Sequence, residues 1–394
     1  MFFRVRFRIL LYKAALLSML TFVMSACVKE EDHLNDHADS PVEVGIDDRY
    51  VAISDSMLMW LEGMQLSNGL LETSRQSSLI SLYDNALSAL VFTRTNRIEK
   101  AQQIFSYFQN RLYSEFSFGN GGFFQFRNSS GQPQGNRWLG DNAWFLIALN
   151  NYEEQTGDLQ YAAMRDSLEG WIRRQQDTDG GLWGGTDQSG SNIGKVTEAM
   201  IDAFNAVDGF DAFHAGILDY LHQERWDEAD QLLVSWPGSN YYYALDNLSW
   251  GYCAFEGFPE RVLTDADRFL NTQWHAHSAD SITGYCFDED RDAVWIEGSA
   301  QMAIAFAKAG NYDRANAILH ELSKVSANDP VSAGTQGLPY ASNLGTGYGN
   351  GLLWQGADVN PCTVAAAWFI MAAHNFDPFK VGYAKGIPTN SKFW

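Results

Sequence analysis

A long-period repeat of paired helical segments restricts the fold of this chain more than any other sequence feature. Apolar residues recur at spacings of three and four, as in Ala86, Leu87, Leu90 and Val91, which is typical of helices. Short polar turns containing Gly or Asn join the two helices of a pair, because these residues favour a helix stop before the chain reverses. The turns lie at 93–96, 155–158, 206–209 and 309–312. We therefore predict a series of helical hairpins.

Longer connections, rich in glycine and aromatic residues, separate one hairpin from the next. They span residues 113–138, 176–194, 275–291 and 327–360. The first helix of each hairpin is more apolar than the second. We predict the apolar helices near 80–93, 140–155, 196–207, 246–256, 293–309 and 361–374. We predict the more charged second helices near 97–112, 158–175, 210–224, 261–273 and 311–325, and an opening helix near 53–65 that brings the total to twelve.

Twelve helices of two kinds fit two concentric rings. An inner helix has neighbours all round and can be apolar on most faces, whereas an outer helix needs a single apolar stripe. Acids near the starts of successive apolar helices are 48 to 57 residues apart, which does not fit the roughly 34-residue repeat of tetratricopeptide pairs. The predicted fold class is therefore all-α, an (α/α)6 toroid of six hairpins with the long loops at one mouth.

The acids at these helix starts form a candidate site. In such a ring the inner helices run in the same direction, so their first turns meet around one cleft. A carboxylate in a first turn also stabilises the helix terminus, and this role alone could explain any one of them. Taken together they resemble a glycosidase site, in which two carboxyl groups flank the bond that is cleaved. The acids are Asp84, Asp141, Glu198, Asp246 and Glu297, with Asp202 one helical turn after Glu198.

The neighbours of these acids suggest their roles. Asp141 lies between Trp138 and Trp144, and aromatic surroundings with nearby carboxylates favour a raised pKa and a role as general acid. Asp84 or Glu297 would then activate water. Glu198, Asp202 and Asp246 are expected to bind the substrate. Aromatic rings can stack on sugar rings, and the candidates for this role are Tyr83, Trp138, Trp144, Trp183, Trp295 and Trp354.

Other chemistries lack a motif. The glycine-rich stretches are not followed by the Lys-Ser or Lys-Thr of a phosphate-binding loop, and no serine-nucleophile motif occurs. His275 and His277 have no evident third metal ligand, so we predict neither a metal nor a cofactor. The net charge of −21 repels phosphate backbones, so nucleic acid is not an expected partner.

Three cysteines lie beyond residue 27. Cys253, Cys286 and Cys362 are widely spaced and odd in number, which is not a disulfide framework. We expect buried thiols that pack as small apolar residues. One disulfide with one free thiol stays open as the alternative.

The first 26 residues have the layout of a secretory signal. A basic start precedes an apolar run at 14–24 that is too short to span a bilayer. Small residues before Cys27 resemble a lipobox, which implies lipidation of Cys27. We expect an acidic flexible tether over 27–48 and a single domain over 49–394. The prediction is a monomeric lipoprotein of the bacterial cell envelope, anchored through its lipid in the outer membrane and facing the periplasm or the surface.

Several segments together resemble the six-hairpin glycosidase superfamily. They are 83–87, 140–144, 180–185, 294–298 and 366–379. The resemblance implies an (α/α)6 fold and a carbohydrate-active enzyme. Bacterial α-1,6-mannanases place adjacent aspartates before an Asn-Ala-Trp segment, and Gly140 replaces the first of them here, which argues against that activity. Unsaturated glucuronyl hydrolases use aspartates at the starts of two inner helices, a layout that Asp84 and Asp141 resemble.

We therefore expect a glycoside hydrolase that cleaves an oligo- or polysaccharide by carboxylate acid-base catalysis. One alternative is a non-catalytic glycan-binding lipoprotein that has kept the fold and the aromatic cleft. Another is a polysaccharide lyase. A lyase needs a Tyr, His or Lys base and a group that neutralises a uronate, and the acidic mouth disfavours an anionic polymer.

Overall fold

The computed structural model describes residues 45–117, 121–275, 277–343 and 356–394. The predictions for the signal segment, for Cys27 and for Trp354 lie outside the described residues. The helices are α1 (Asp48–Met64), α2 (Leu82–Arg94), α3 (Ile98–Gln109), α4 (Leu112–Phe116), α5 (Leu139–Thr156), α6 (Ala162–Arg173), α7 (Thr197–Ala206), α8 (Ala212–Glu224), α9 (Leu245–Ala254), α10 (Arg261–Asp265), α11 (Ile296–Lys308), α12 (Tyr312–Ser323), α13 (Thr363–Ala373) and α14 (Lys380–Tyr383).

Six of these helices form an inner ring that closes on itself. Each packs against the next, and the last packs against the first. In ring order they are α2, α5, α7, α9, α11 and α13. Every residue of α13 is buried, as a helix that is apolar on all sides requires. The prediction of an (α/α)6 toroid is confirmed.

Each outer helix packs mainly against one inner helix. They are α1, α3, α6, α8, α10 and α12. Helix α3 buries Ala101, Ile104, Phe105 and Phe108, a spacing of three and four that leaves its other face to solvent. Helix α1 packs against α13, so the first described helix completes the last hairpin.

Short strands lie in the loops between the helices. In the described part of the chain they are β1 (Leu79–Ser81), β2 (Phe126–Asn128), β3 (Pro133–Gln134), β4 (Arg137–Trp138), β5 (Gly185–Thr186), β6 (Trp226–Asp227), β7 (Leu232–Leu233), β8 (Leu270–His275), β9 (Asp280–Tyr285), β10 (Ala327–Asn328) and β11 (Gln336–Gly337). The first three form one antiparallel sheet, and the others pair two by two. Strands β1 and β4 lead directly into α2 and α5, so these pairs fix the starts of two inner helices.

The outer helix predicted near 261–273 is wrong beyond its first turns. Helix α10 ends at Asp265, a 3-10 helix covers Ala266–Phe269, and the chain then forms the antiparallel hairpin of β8 and β9. Thr272 and Thr283 are directly paired, with their hydroxyl oxygens 2.7 Å apart. Cross-strand pairs of β-branched residues favour strands over helix, which explains the difference.

The described chain is already packed before residue 49. The Asp47 backbone N–H donates to Asn316 Oδ1 on α12 at 2.9 Å, and Asn316 Nδ2 donates to the Gly45 carbonyl at 2.9 Å. These residues, assigned to the tether from sequence, therefore contact the outer ring. No helix among the described residues is both long and apolar enough to cross a membrane.

The three cysteines of the domain are free and buried. Cys253 lies on α9, Cys286 follows β9 and Cys362 precedes α13. Burial raises the pKa of each thiol, so all three remain protonated at neutral pH. The expectation of buried thiols is confirmed, and the disulfide alternative is not.

The segment after α13 closes one end of the ring. Near the C-terminal ends of α5 and α7, Asn151 Nδ2 donates to the Pro378 carbonyl and Asn205 Nδ2 to the Phe379 carbonyl, each at 3.0 Å. The Phe379 ring is buried and lies 5.0 Å from the ring of Trp144, centroid to centroid. The axis of the toroid is therefore filled at this end.

Replacing Phe379 with alanine should lower the free energy of unfolding by about 3–5 kcal/mol. The truncation opens a cavity beneath Trp144, and the packed inner helices cannot move together to fill it. Urea unfolding followed by intrinsic fluorescence measures the loss. Phe376→Ala is the matched control, since Phe376 is only partly buried and should cost less. Equal losses for the two variants would show that Phe379 does not fill the axis.

Candidate active site

A cavity of about 740 Å³ lies at the opposite end, where the inner helices begin. Five of those helices each contribute a carboxyl group from the first turn, and α7 contributes another from its second turn. All are at least nine-tenths buried. The acids are Asp84 on α2, Asp141 on α5, Glu198 and Asp202 on α7, Asp246 on α9 and Glu297 on α11. The structure thus brings together the six acids selected from the sequence.

These acids are not the N-cap residues of their helices. The N-cap positions of α2, α5 and α11 are held by Ser81, Trp138 and Trp295. The five first-turn acids lie two or three residues inside, where the helix dipole still favours negative charge. Their side chains line the cavity.

Asp84 and Asp141 are neighbours on adjacent inner helices. Burial raises the pKa of Asp84 to about 6. Burial and the charge of Asp84 raise the pKa of Asp141 well above its ordinary value. The Oδ2 atom of each has no hydrogen-bond partner among the described residues. A pair of carboxyl groups with separated pKa values can divide the roles of acid and base.

A chain of hydrogen bonds holds the Glu297 side chain in one orientation. The Tyr83 hydroxyl donates to Glu297 Oε1 at 2.7 Å and accepts from Trp368 Nε1 at 2.9 Å. Gln301 Nε2 also donates to Oε1, at 3.1 Å. Burial raises the pKa of Glu297 to about 8, and the charge of Asp84 adds to the effect while the Tyr83 hydrogen bond opposes it.

Glu198, Asp202 and Asp246 form a second group of acids on α7 and α9. Burial raises the pKa of Asp246 to about 7. Burial and the charge of Asp246 raise the pKa values of Glu198 and Asp202 well above their ordinary range. Gly140 adjoins this group, since a Cβ at that position would lie 3.2 Å from Asp202 Oδ2.

Four of the predicted aromatic residues line the cavity: Tyr83, Trp138, Trp144 and Trp295. The ring of Trp295 lies across Gly298, where a Cβ would come within 2.0 Å of it. The glycine in the Trp295–Gly298 segment therefore makes room for the ring. Rings presented in this way offer flat apolar faces for a sugar.

Trp183 does not line the cavity, contrary to the prediction of substrate contact. The Lys195 ammonium lies 4.7 Å from the centroid of the Trp183 ring. Lys195 is itself held by Asp177 at 2.8 Å and Asp179 at 2.6 Å. This cluster holds Trp183 beside Lys195, outside the cavity lining.

The sequence analysis missed four aromatic residues that line the cavity. They are Trp236, Tyr241, Trp250 and Phe287. A signal for the first two was present: residues 225–244 combine Pro237 and Gly238 with aromatic residues immediately before Asp246. That stretch has the composition of the other long loops, but it was not counted among them.

Within the described residues, the cavity lining contains no Lys, Arg or His. No group of three or more His, Cys, Asp or Glu side chains in the described ranges is spaced to hold a metal ion. The acid-base groups of the described lining are therefore carboxyls and tyrosine hydroxyls. An anionic substrate would meet like charge without a compensating cation.

The chain matches no protein-family model and no curated protein sequence. It is similar to solved structures of sugar-acting proteins. A glycosidase has a TM-score of 0.58 at 14% identity, covering 85% of this chain and 100% of its own. A variant of a glycosidase in complex with glucose has a TM-score of 0.57 at 13% identity, covering 86% of this chain and 100% of its own.

Other similar structures carry different activities in their names. A cellobiose 2-epimerase from Bacillus thermoamylovorans has a TM-score of 0.55 at 10% identity, covering 83% of this chain and 99% of its own. An alpha-amylase from Clostridium perfringens has a TM-score of 0.56 at 11% identity, covering 82% and 97%. These likenesses show a six-hairpin glycosidase-like fold, and a shared fold does not fix the reaction.

Proposed function

We propose that this protein is a glycoside hydrolase that acts on an oligo- or polysaccharide without anionic groups. The observation that carries the proposal is the ring of six buried carboxyl groups around one aromatic-lined cavity. Glycoside hydrolysis needs two such groups flanking the bond and a surface that stacks on the sugar.

Asp141 is the proposed general acid and Asp84 the proposed base that activates water. A general acid must keep its proton at working pH, and the pKa of Asp141 is raised well above the ordinary range. Asp84, with a pKa of about 6, is ionised at neutral pH and can accept a proton. Glu297 was the other candidate base. Its pKa of about 8 leaves it protonated at neutral pH, so a role in holding a sugar hydroxyl suits it better.

The alternatives differ in their products. A lyase would release an unsaturated sugar, an epimerase an isomer with the glycosidic bond intact, and a binding protein no product. The epimerase is a specific second candidate because a cellobiose 2-epimerase is among the similar structures. Epimerisation requires a base that removes a proton beside a carbonyl. Histidine most often has this role, and the described lining contains no histidine.

A screen against glycans without anionic groups, both neutral and containing amino sugars, with separate detection of new reducing ends, unsaturated products and epimers, tests the proposal. We expect new reducing ends from at least one of these glycans and far fewer with Asp141→Asn. Glu228→Gln, on an exposed side chain, is the control for purification and folding. Isomers or unsaturated products without new reducing ends would overturn the assignment, and so would saturable binding with no product.

A further inference from the structure

The acids of the cavity fall into two groups, and the mechanism above uses only one. The other is the α7–α9 acid cluster, which consists of Glu198, Asp202 and Asp246. Their exposed fractions are 8%, 2% and 6%. Both Glu198 carboxyl oxygens, Asp202 Oδ1 and Asp246 Oδ1 have no hydrogen-bond partner among the described residues. These unpartnered oxygens are buried at the cavity wall and are available to a ligand.

Among the described residues, the α7–α9 acid cluster also has no cation in the cavity lining. Arg225 exerts a favourable charge effect on Glu198, but it does not line the cavity. Its guanidinium donates to the Tyr220 hydroxyl at 2.7 Å and to the Glu224 carbonyl at 2.8 Å. Burial without a cation keeps these carboxyl groups largely protonated. An ammonium ligand would supply the missing positive charge, and the protons it displaces from the carboxyl groups would pass to solvent.

Aromatic residues surround the same end of the cavity. Trp250 lies one helical turn after Asp246 on α9, and the Trp236 and Tyr241 rings meet edge to face with centroids 5.4 Å apart. The charges of Glu198 and Asp246 help to raise the pKa of Tyr241, after burial, which places that side chain beside both acids. Aromatic faces attract ammonium groups as well as sugar rings.

We propose that the α7–α9 acid cluster is a subsite for an amino sugar, with Glu198 and Asp246 receiving its ammonium group. The proposal rests on the proposed hydrolase function and narrows its substrate class. An ammonium group donates three charge-assisted hydrogen bonds, which fits several unpartnered oxygens better than a hydroxyl does. A metal ion is a poorer fit, because no metal-spaced set of ligands occurs in the described ranges.

Titration calorimetry with D-glucosamine, D-glucose and N-acetyl-D-glucosamine at about pH 7 tests the subsite. An aliphatic amine is substantially protonated at that pH. We expect glucosamine to bind roughly tenfold more tightly than glucose, the effect of one added charge-assisted hydrogen bond. The N-acetyl sugar should bind no more tightly than glucose, because acetylation removes the charge.

Variants assign the preference to the cluster. Glu198→Gln and Asp246→Asn should each reduce the preference for glucosamine over glucose to within about twofold, since the amides keep the shape and remove the charge. Asp84→Asn, from the other group of acids, and Glu228→Gln, on the surface, should keep it. Circular dichroism checks that every variant is folded.

Three results would overturn the subsite. One is equal affinity of the unmodified protein for glucosamine and glucose. Another is a preference that survives both Glu198→Gln and Asp246→Asn. The third is a preference that disappears with Asp84→Asn. None of these results touches the proposed hydrolysis, which the release of reducing ends from glycans without anionic groups decides separately.

Discussion

Replacing Asp141 with asparagine is expected to lower kcat/KM for an ordinary glycoside by about 10³-fold. The leaving sugar oxygen needs a proton as the bond breaks, and asparagine cannot supply one. An aryl glycoside with a good leaving group needs little protonation, so its kcat/KM should fall far less. The comparison of the two substrates measures proton donation directly, because a general loss of binding or folding would reduce both.

Asp84→Asn provides the complementary case. If Asp84 activates water, its loss should reduce cleavage of both substrates alike, because the nucleophile is needed whatever the leaving group. Glu297→Gln tests the other candidate base in the same way: an equal loss of cleavage on both substrates would assign water activation to Glu297. Equal losses on the two substrates for Asp141→Asn would rule out Asp141 as the acid, and full activity of Asp84→Asn would move the base to another carboxyl group.

The unliganded protein should lose stability as the pH rises from about 4 to about 8. A carboxyl group whose pKa is higher in the folded than in the unfolded chain stabilises the fold below its unfolded pKa, and this contribution is lost as the pH passes through the folded pKa. Burial raises the pKa of Asp84 from 3.8 to about 6. The shift corresponds to about 3 kcal/mol of stability lost over that range. Glu297, with a pKa raised from 4.5 to about 8, continues the loss to higher pH.

Urea unfolding at about pH 5 and about pH 8 measures this dependence. Part of the Asp84 contribution is already lost below pH 5, so Asp84→Asn should reduce the difference in unfolding free energy between these two pH values by about 1.5 kcal/mol. It should also be the more stable protein at the higher pH, although inactive. Active sites commonly trade stability for function in this way. Glu228→Gln removes one exposed charge and should leave the slope unchanged. A free energy of unfolding that does not change with pH would show that the cavity carboxyls are not destabilised by burial.

The fold was predictable because its helices carry strong local signals. Apolar residues recur at helical spacing in each inner helix, and polar turns separate the helices of the hairpins. Five of the six outer helices form near the predicted positions. The exception, near 261–273, shows the limit of local patterns. The preference of Thr272 and Thr283 for a strand is expressed only because the two residues meet across a hairpin.

The candidate site was predictable in part for a topological reason. Inner helices that begin at one end bring their first turns together, so position in the helix was enough to select the acids. The contacts between distant segments could not be read in the same way. Tyr83 and Glu297 are separated by 214 residues. Their hydrogen bond depends on how α2 and α11 are rotated about their own axes, because the rotation decides which side chains face the centre of the toroid. The position of Trp183 likewise depends on its contact with Lys195, twelve residues later in the sequence, and not on the residues adjacent to it in the chain.

The closure of the inner ring has a consequence for folding. Helix α13 packs against α2 and α1, which lie near the other end of the described chain, so the final contacts join segments separated by nearly the whole length of the toroid. Contacts between such remote segments form slowly, because the intervening chain must lose its freedom first. Until α13 arrives, the apolar flanks of its neighbours remain open to water and to other chains. We therefore expect an incomplete chain to aggregate and not to form a smaller stable bundle.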